Sequence, residues 1–170
     1  PAAVVKTVAL ELAAVPQKLD GVANILSPES LIQLDADLHA AAIAADFSRR
    51  EFERYQSTKS LSIHIIEGAE RQSKTADAQL AALQLRLRQT WGDASPFVKD
   101  EARAKLVEEL TKGKTVLVRL DFLQSRGEAL QNVHVLPLSG GSDAAVKTLW
   151  PAPTGNAAMP GVSYFGFVDA

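Results

Sequence analysis

The sequence predicts an α+β protein: a small antiparallel β-barrel body carrying a long antiparallel α-helical hairpin of coiled-coil type. Three observations carry that expectation. Short β-branched runs of period two stand toward both ends of the chain. Between them, apolar residues recur at three-four spacing from Leu31 to Leu87. The middle of that pattern is alanine and serine in place of leucine, which lets two helices approach closely. The boundaries fall at 1–26 for the first barrel strands, 27–92 for the hairpin, 93–113 for a short connecting helix and 114–170 for the remaining barrel strands.

The first element is a strand over Val4–Leu12, rich in β-branched residues and partly alternating. Pro16 and Asp20-Gly21 punctuate the chain before a second short strand, Val22–Leu26. Ser27-Pro28-Glu29 then reads as a helix start: Ser can cap, Pro is already at helical φ, and Glu faces the positive end of the dipole. Leu31, Leu34, Leu38, Ala41, Ala45, Ser48, Phe52 and Tyr55 form the seam of the first helix. Ile66, Ala69, Ser73, Ala76, Leu80, Leu83 and Leu87 form that of the second, which ends near Trp91-Gly92.

The spacing runs on through Lys59 and Ser62, so periodicity alone also permits one helix of about 60 residues, roughly 90 Å long. Two features favour a hairpin. The polar run Gln56–Ser60 is weak in helix propensity, and Ser62 is placed to cap a new helix. Folding back also matches the leucine-rich ends and brings alanine against alanine.

Ser95-Pro96 repeats the helix-start signal, so a short amphipathic helix is expected over Phe97–Leu110, with Gly113 as its stop. The period then changes to two. Four strands are expected over Thr115–Asp121, Asn132–Leu136, Ala145–Trp150 and Val162–Val168, separated by Gly, Ser and Pro turns. Joined to the N-terminal strands, they would close a small barrel and remove its edges.

Composition narrows the function. The 170 residues are 46% hydrophobic, too apolar for disorder, and 18 Lys+Arg against 20 Asp+Glu leave no basic surplus for nucleic acid. There is no Cys, hence no disulfide, thiolate ligand or thiol nucleophile. No apolar run reaches the ~18 residues needed to span a bilayer, and Pro1–Val4 lacks the features of a signal peptide. The chain reads as soluble, or as a soluble piece of a longer protein.

Signals for catalysis are weak. His39, His64 and His134 lack a partner at metal-ligand spacing, and Met159 is the single methionine, so neither a metal site nor a cofactor is expected. Ser139-Gly140-Gly141-Ser142 lies between strands without the Lys-Ser/Thr ending of a phosphate loop, and reads as a flexible turn. The carboxylate pairs Asp35/Asp37, Glu51/Glu53 and Glu108/Glu109 sit on polar helix faces, where solvated charge is expected. No Gly-x-Ser-x-Gly elbow appears. Phe52, Tyr55, Trp91 and Trp150 are too scattered to stack bases. No enzyme activity is expected, and contact falls to the hairpin tip: Arg54, Tyr55, Gln56, Lys59, Leu61, Ser62 and Ile63. The same residues could equally serve only to close the turn.

The order of elements resembles the periplasmic adaptor (membrane fusion) subunits of resistance-nodulation-division tripartite efflux systems. Leu34–Ala42 is similar to the start of their first hairpin helix, Glu53–Gln56 to its end, and Ser62–Glu70 to the start of the returning helix. Ala78–Gly92 resembles the end of that helix, including the Trp-Gly of a subset of the family, and Val116–Leu120 the first barrel strand after it. Two patterns differ. Ala-Pro-x-x-Gly lipoyl half-motifs do not flank the hairpin, and Arg54 is followed by Thr58 and an early Ser62 where the family's tip has Leu and a later Ser. A chain stopping at Ala170 also lacks the segment the family carries beyond its barrel, so a piece of a longer protein is expected.

The resemblance implies a non-enzymatic periplasmic subunit associated with the inner membrane. It would link an inner-membrane transporter to an outer-membrane channel as a homo-oligomer, for export of metal ions or drugs. Membrane association would come through partners or through segments outside this chain. A coiled-coil scaffold without a transport role and a small-ligand-binding β-barrel remain the alternatives from the residues alone.

Overall fold

The computed structural model describes residues 19–170 apart from 59, 124–129, 131, 139 and 159–160. The strand expected over Val4–Leu12, and the residues Lys59, Ser139 and Met159, lie outside the described residues. Within them the chain is α+β. In order come β1 (Gly21–Ile25), α1 (Glu29–Ser57), α2 (Ile63–Trp91), a 3-10 turn (Pro96–Val98), α3 (Asp100–Thr111), β2 (Thr115–Phe122), β3 (His134–Val135), β4 (Ala144–Ala145), β5 (Lys147–Pro151) and β6 (Val162–Asp169).

α1 and α2 are separate helices of 29 residues each that pack on one another, so the chain turns back at 58–62. The periodic seam sits between them: Leu31, Leu34, Leu38, Ala45, Ser48, Ala69, Ser73, Ala76 and Leu87 are all buried. Arg49 on α1 donates from Nη2 to Asp77 Oδ1 on α2 at 2.7 Å, tying the helices across the seam.

Helix starts are less regular than the sequence suggests. The Ser27 hydroxyl accepts from Glu29 N at 3.4 Å, while Pro28 occupies the cap position and its carbonyl accepts from Leu31 and Ile32. Ser62 holds the cap position of α2 with extended backbone, but its hydroxyl makes no capping bond. The helix expected over Phe97–Leu110 is broken at Lys99, whose backbone is extended, leaving a 3-10 turn and then α3. The break has a packing cause: Phe97, fully buried, stacks edge-on against Trp91, Trp150 and Phe167, and its carbonyl accepts from Arg103.

The β-barrel expectation is corrected. The described strands form an open four-stranded antiparallel sheet in the order β1-β2-β6-β5, with β3 and β4 as a separate two-stranded ladder. Among the described strands β1 pairs only with β2, and β5 meets β6 through an irregular register between Lys147 and Trp150. Helices take the place of barrel closure. One face of the sheet, carrying Leu117, Phe165, Phe167 and Trp150, packs on Leu31, Leu34, Leu38, Leu87, Trp91, Phe97 and Leu110. The other, carrying Val118, Leu120, Phe122 and Val168, is covered by Val133, Val135, Ala144 and Val146 from the β3–β4 region. The alternation of Leu117 with Val118 along β2 divides the two layers.

The few aromatics are therefore concentrated. Trp91, Phe97, Trp150, Phe165 and Phe167 form one cluster where the hairpin meets the sheet, with ring centroids 5.2–5.8 Å apart. The Trp150 indole donates to the Trp91 carbonyl at 2.9 Å, filling an acceptor that the last turn of α2 would leave free. Contacts between the hairpin and later elements concentrate at this base, where α3 packs on α1 and the 3-10 turn on α2.

Candidate interaction surface of the helical hairpin

Six of the seven expected tip residues come together at the turn, Lys59 lying outside the described residues. Arg54, Tyr55 and Gln56 end α1, Leu61 and Ser62 lie in the connection, and Ile63 opens α2. The end of α1 is secured locally. The Ser57 and Thr58 hydroxyls both donate to the Arg54 carbonyl, at 2.8 and 2.9 Å, and Thr58 N donates to the Tyr55 carbonyl. These bonds occupy carbonyls that a helix end leaves unpaired.

Side chains at the tip form a small, defined arrangement. The Tyr55 hydroxyl donates to Glu51 Oε1 at 2.9 Å, and the Arg54 guanidinium lies 5.2 Å from the Tyr55 ring centroid and 3.6 Å from Glu51. Across the turn, Ile63 is 67% and Ile65 47% exposed, and Leu61 is half-buried. An apolar end beside a cation and a phenol suits contact with another protein surface more than it suits chemistry. Ile65 was missed in the sequence because it lies one residue from the seam position Ile66, off the face that the three-four repeat marks.

Further from the tip, the small seam residues leave an open groove of about 450 Å³ along the hairpin, bordered by Ala44, Ser48, Gly68, Thr75 and Ala76. The outer face of α1 exposes two large apolar side chains, Ile43 (59%) and Phe47 (64%), and α2 exposes Leu85 (55%). Their signal was present in the sequence as a second three-four repeat behind the leucine seam.

The polar groups named from the sequence are dispersed. His64 lies 3.7 Å from Glu67, and His134 2.9 Å from Asp143. Among the described residues no group of three His, Cys, Asp or Glu is placed to hold a metal ion, and no helix is long and apolar enough to cross a membrane. Asp35 departs from the solvated role expected of it: it is half-buried and accepts from the buried Arg103.

A second buried polar network pins the segment before β6 to β2. Asp121 accepts from Ser163 Oγ at 2.5 Å, Asn156 Nδ2 at 2.9 Å and Arg119 Nε at 3.1 Å. Arg119 also donates to the Thr154 carbonyl and to Ser163. Burial would raise the Asp121 carboxyl, but the three donors and the Arg119 charge outweigh it and hold it below its usual value. With every oxygen engaged inside the fold, this carboxylate is a structural clamp.

No protein-family model matches the chain, and no curated protein matches it.

Proposed function

We propose that the chain is a periplasmic adaptor subunit of a tripartite efflux assembly, with the sheet body held against an inner-membrane transporter and the hairpin serving as a coiled-coil arm. The observation that carries the reading is the division of labour in the hairpin. Its base is fixed by the aromatic cluster, whereas its far end carries exposed Ile63 and Ile65. Each 29-residue helix extends about 43 Å. A long helical pair whose middle is alanine and serine buries little per residue, so reach toward a partner explains it better than stability does. The adaptor itself makes and breaks no bonds, and the cargo is handled by the transporter.

In this reading the tip residues Arg54, Tyr55, Gln56, Ile63 and Ile65 dock to an outer-membrane channel, as resemblance to the adaptor family suggests. A photo-crosslinking residue at Ile63, introduced in cells of the source organism, tests it. Adducts with an outer-membrane channel are expected. Adducts confined to soluble proteins, or none while a probe at Phe47 does react, overturn it.

A further inference from the structure

We propose that the outer edge of β1 is a strand-accepting site, which takes a neutral extended segment of another protein as a fifth strand of the open sheet. The inference goes beyond the efflux reading and does not depend on it.

Backbone direction comes first. Leu26 N donates to the Leu117 carbonyl at 2.9 Å, which sets the alternation along the β1–β2 ladder. Val22 and Asn24, opposite Asp121 and Arg119, therefore turn their N–H and C=O groups toward β2, and Gly21, Ala23 and Ile25 turn theirs outward. Among the described residues no backbone hydrogen bond engages that outward row, and all five residues of the strand are exposed. A row of this kind is a template for another strand.

The two edges of the sheet are built differently. On β5 the register is irregular between Lys147 and Trp150, Thr148 has φ +50°, and Pro151 has no N–H to offer. Each of these features disarms a strand edge. β1 carries none of them: Gly-Val-Ala-Asn-Ile has no charge and no proline, and its register with β2 is unbroken.

Side chains define the occupant. Ile25, 78% exposed, shares a face with the buried Val118, so an apolar residue laid beside it extends the layer covered by the β3–β4 region. On the opposite face Val22 and Asn24 lead into the Asp121 and Arg119 row, where a hydroxyl residue fits better than an apolar one. The segment is therefore uncharged, with β-branched apolar residues alternating with Thr or Ser. A second copy fits less well. A five-residue strand is about 17 Å long, and two folded bodies meeting along it alone fall short of the roughly 1,000 Å² that a stable interface needs. A flexible segment can also lay side chains over both faces of the edge.

The chain has no Cys, so a disulfide tether reads the site directly. N24C places a thiol at an exposed position whose own backbone groups already face β2. The probe is a Val-Thr-Val-Cys-Val-Thr-Val peptide with a lysine at each end. Its control is the same peptide N-methylated at the two valines that flank Cys, whose N–H groups would donate to β1. In a glutathione buffer the purified N24C chain is expected to retain the probe roughly tenfold better than the control, as the loss of two hydrogen bonds implies. K147C, on the β5 edge, should hold both alike. On tethering to N24C, the Ala23 and Ile25 amides should gain protection from hydrogen exchange while Val22 is unchanged. V22C repeats the test if N24C folds poorly. Equal retention of the two peptides at the β1 edge overturns the proposal. So does protection of the Ala23 and Ile25 amides before any peptide is added. Protection independent of concentration would mean that another part of this chain holds the edge, and protection rising with concentration that a second copy does.

Discussion

Arg103 of α3 donates from Nε to Asp35 Oδ1 of α1 at 2.6 Å, and its guanidinium also reaches the Phe97 carbonyl at 3.0 Å and Asp100 at 2.8 Å. One buried cation therefore joins the first helix, the 3-10 turn and the third helix. Removing it strands the Phe97 carbonyl and leaves Asp35 half-buried without its partner. R103A is expected to lower stability by about 3 kcal/mol, and D35A by less, because Arg103 keeps two of its acceptors. Urea unfolding of the two variants checks the order.

The contact between Trp150 and Trp91 makes a second, separable prediction. W150F keeps most of the ring packing but loses the bond to the Trp91 carbonyl, a cost of about 1–2 kcal/mol. W150A also opens a cavity in the aromatic cluster and should cost about 3–5 kcal/mol. Thermal melts of both variants, compared at equal concentration, check the difference.

Gly92, directly after α2, has φ +88° and ψ 155°, a region nearly closed to side chains, and a Cβ there would stand 3.1 Å from the Pro151 carbonyl oxygen. Gly113, after α3, has φ +63° with open space around it. Substitution by alanine should therefore cost more at Gly92 than at Gly113, where only the left-handed penalty of about 1 kcal/mol applies. Equal losses in chemical denaturation would sink the argument for steric closure at the Trp-Gly corner.

These sites show where the sequence was legible and where it was not. Leu34, Ala45, Ser73 and Ala76 were readable as seam because helical burial is periodic, and the polar run after Tyr55 marked the turn. Phe97 was not readable: its position in a helical pattern gave no sign that its ring would join Trp91 in a cluster completed by Trp150 and Phe167, more than fifty positions later. The same holds for Asp35, whose partner Arg103 lies 68 residues away. Barrel closure failed as an expectation because strand runs reveal period and not pairing, and the helices cover the face that closure would have covered. Ile43 and Phe47 carried a signal that the stronger leucine repeat masked.

Asp121 predicts a pH dependence with a definite sign. Its carboxyl is held below the ordinary value, so the folded state binds its proton less readily than the unfolded chain. The stabilisation is present in full above the unfolded carboxyl value of about 4, and is lost as pH falls through the lower folded value. The melting temperature should drop on acidification below about pH 4, and S163A, which removes one donor and so brings the folded value closer to the unfolded one, should make that drop smaller. A melting profile flat through that window, or unmoved by S163A, would contradict the clamp.

The small residues in the hairpin seam permit the last prediction. Ala45 is 1% exposed, and the fold-back of α1 on α2 sets it level with buried Ala76. A leucine at Ala45 has no space unless the helices separate, so A45L should lower stability by about 1–3 kcal/mol. Ser48 and Ser73 are also buried, Ser48 at the border of the open groove, and among the described residues no side-chain hydrogen bond from either serine joins the two helices. The double variant S48A/S73A should therefore keep its stability to within about 1 kcal/mol, with alanine's higher helix propensity offsetting any lost polar contact. If packing distance is what the small residues preserve, A45L will melt lower while S48A/S73A will not. The reverse result would mean that hydroxyl bonding, not close approach, selects serine at the centre of the hairpin.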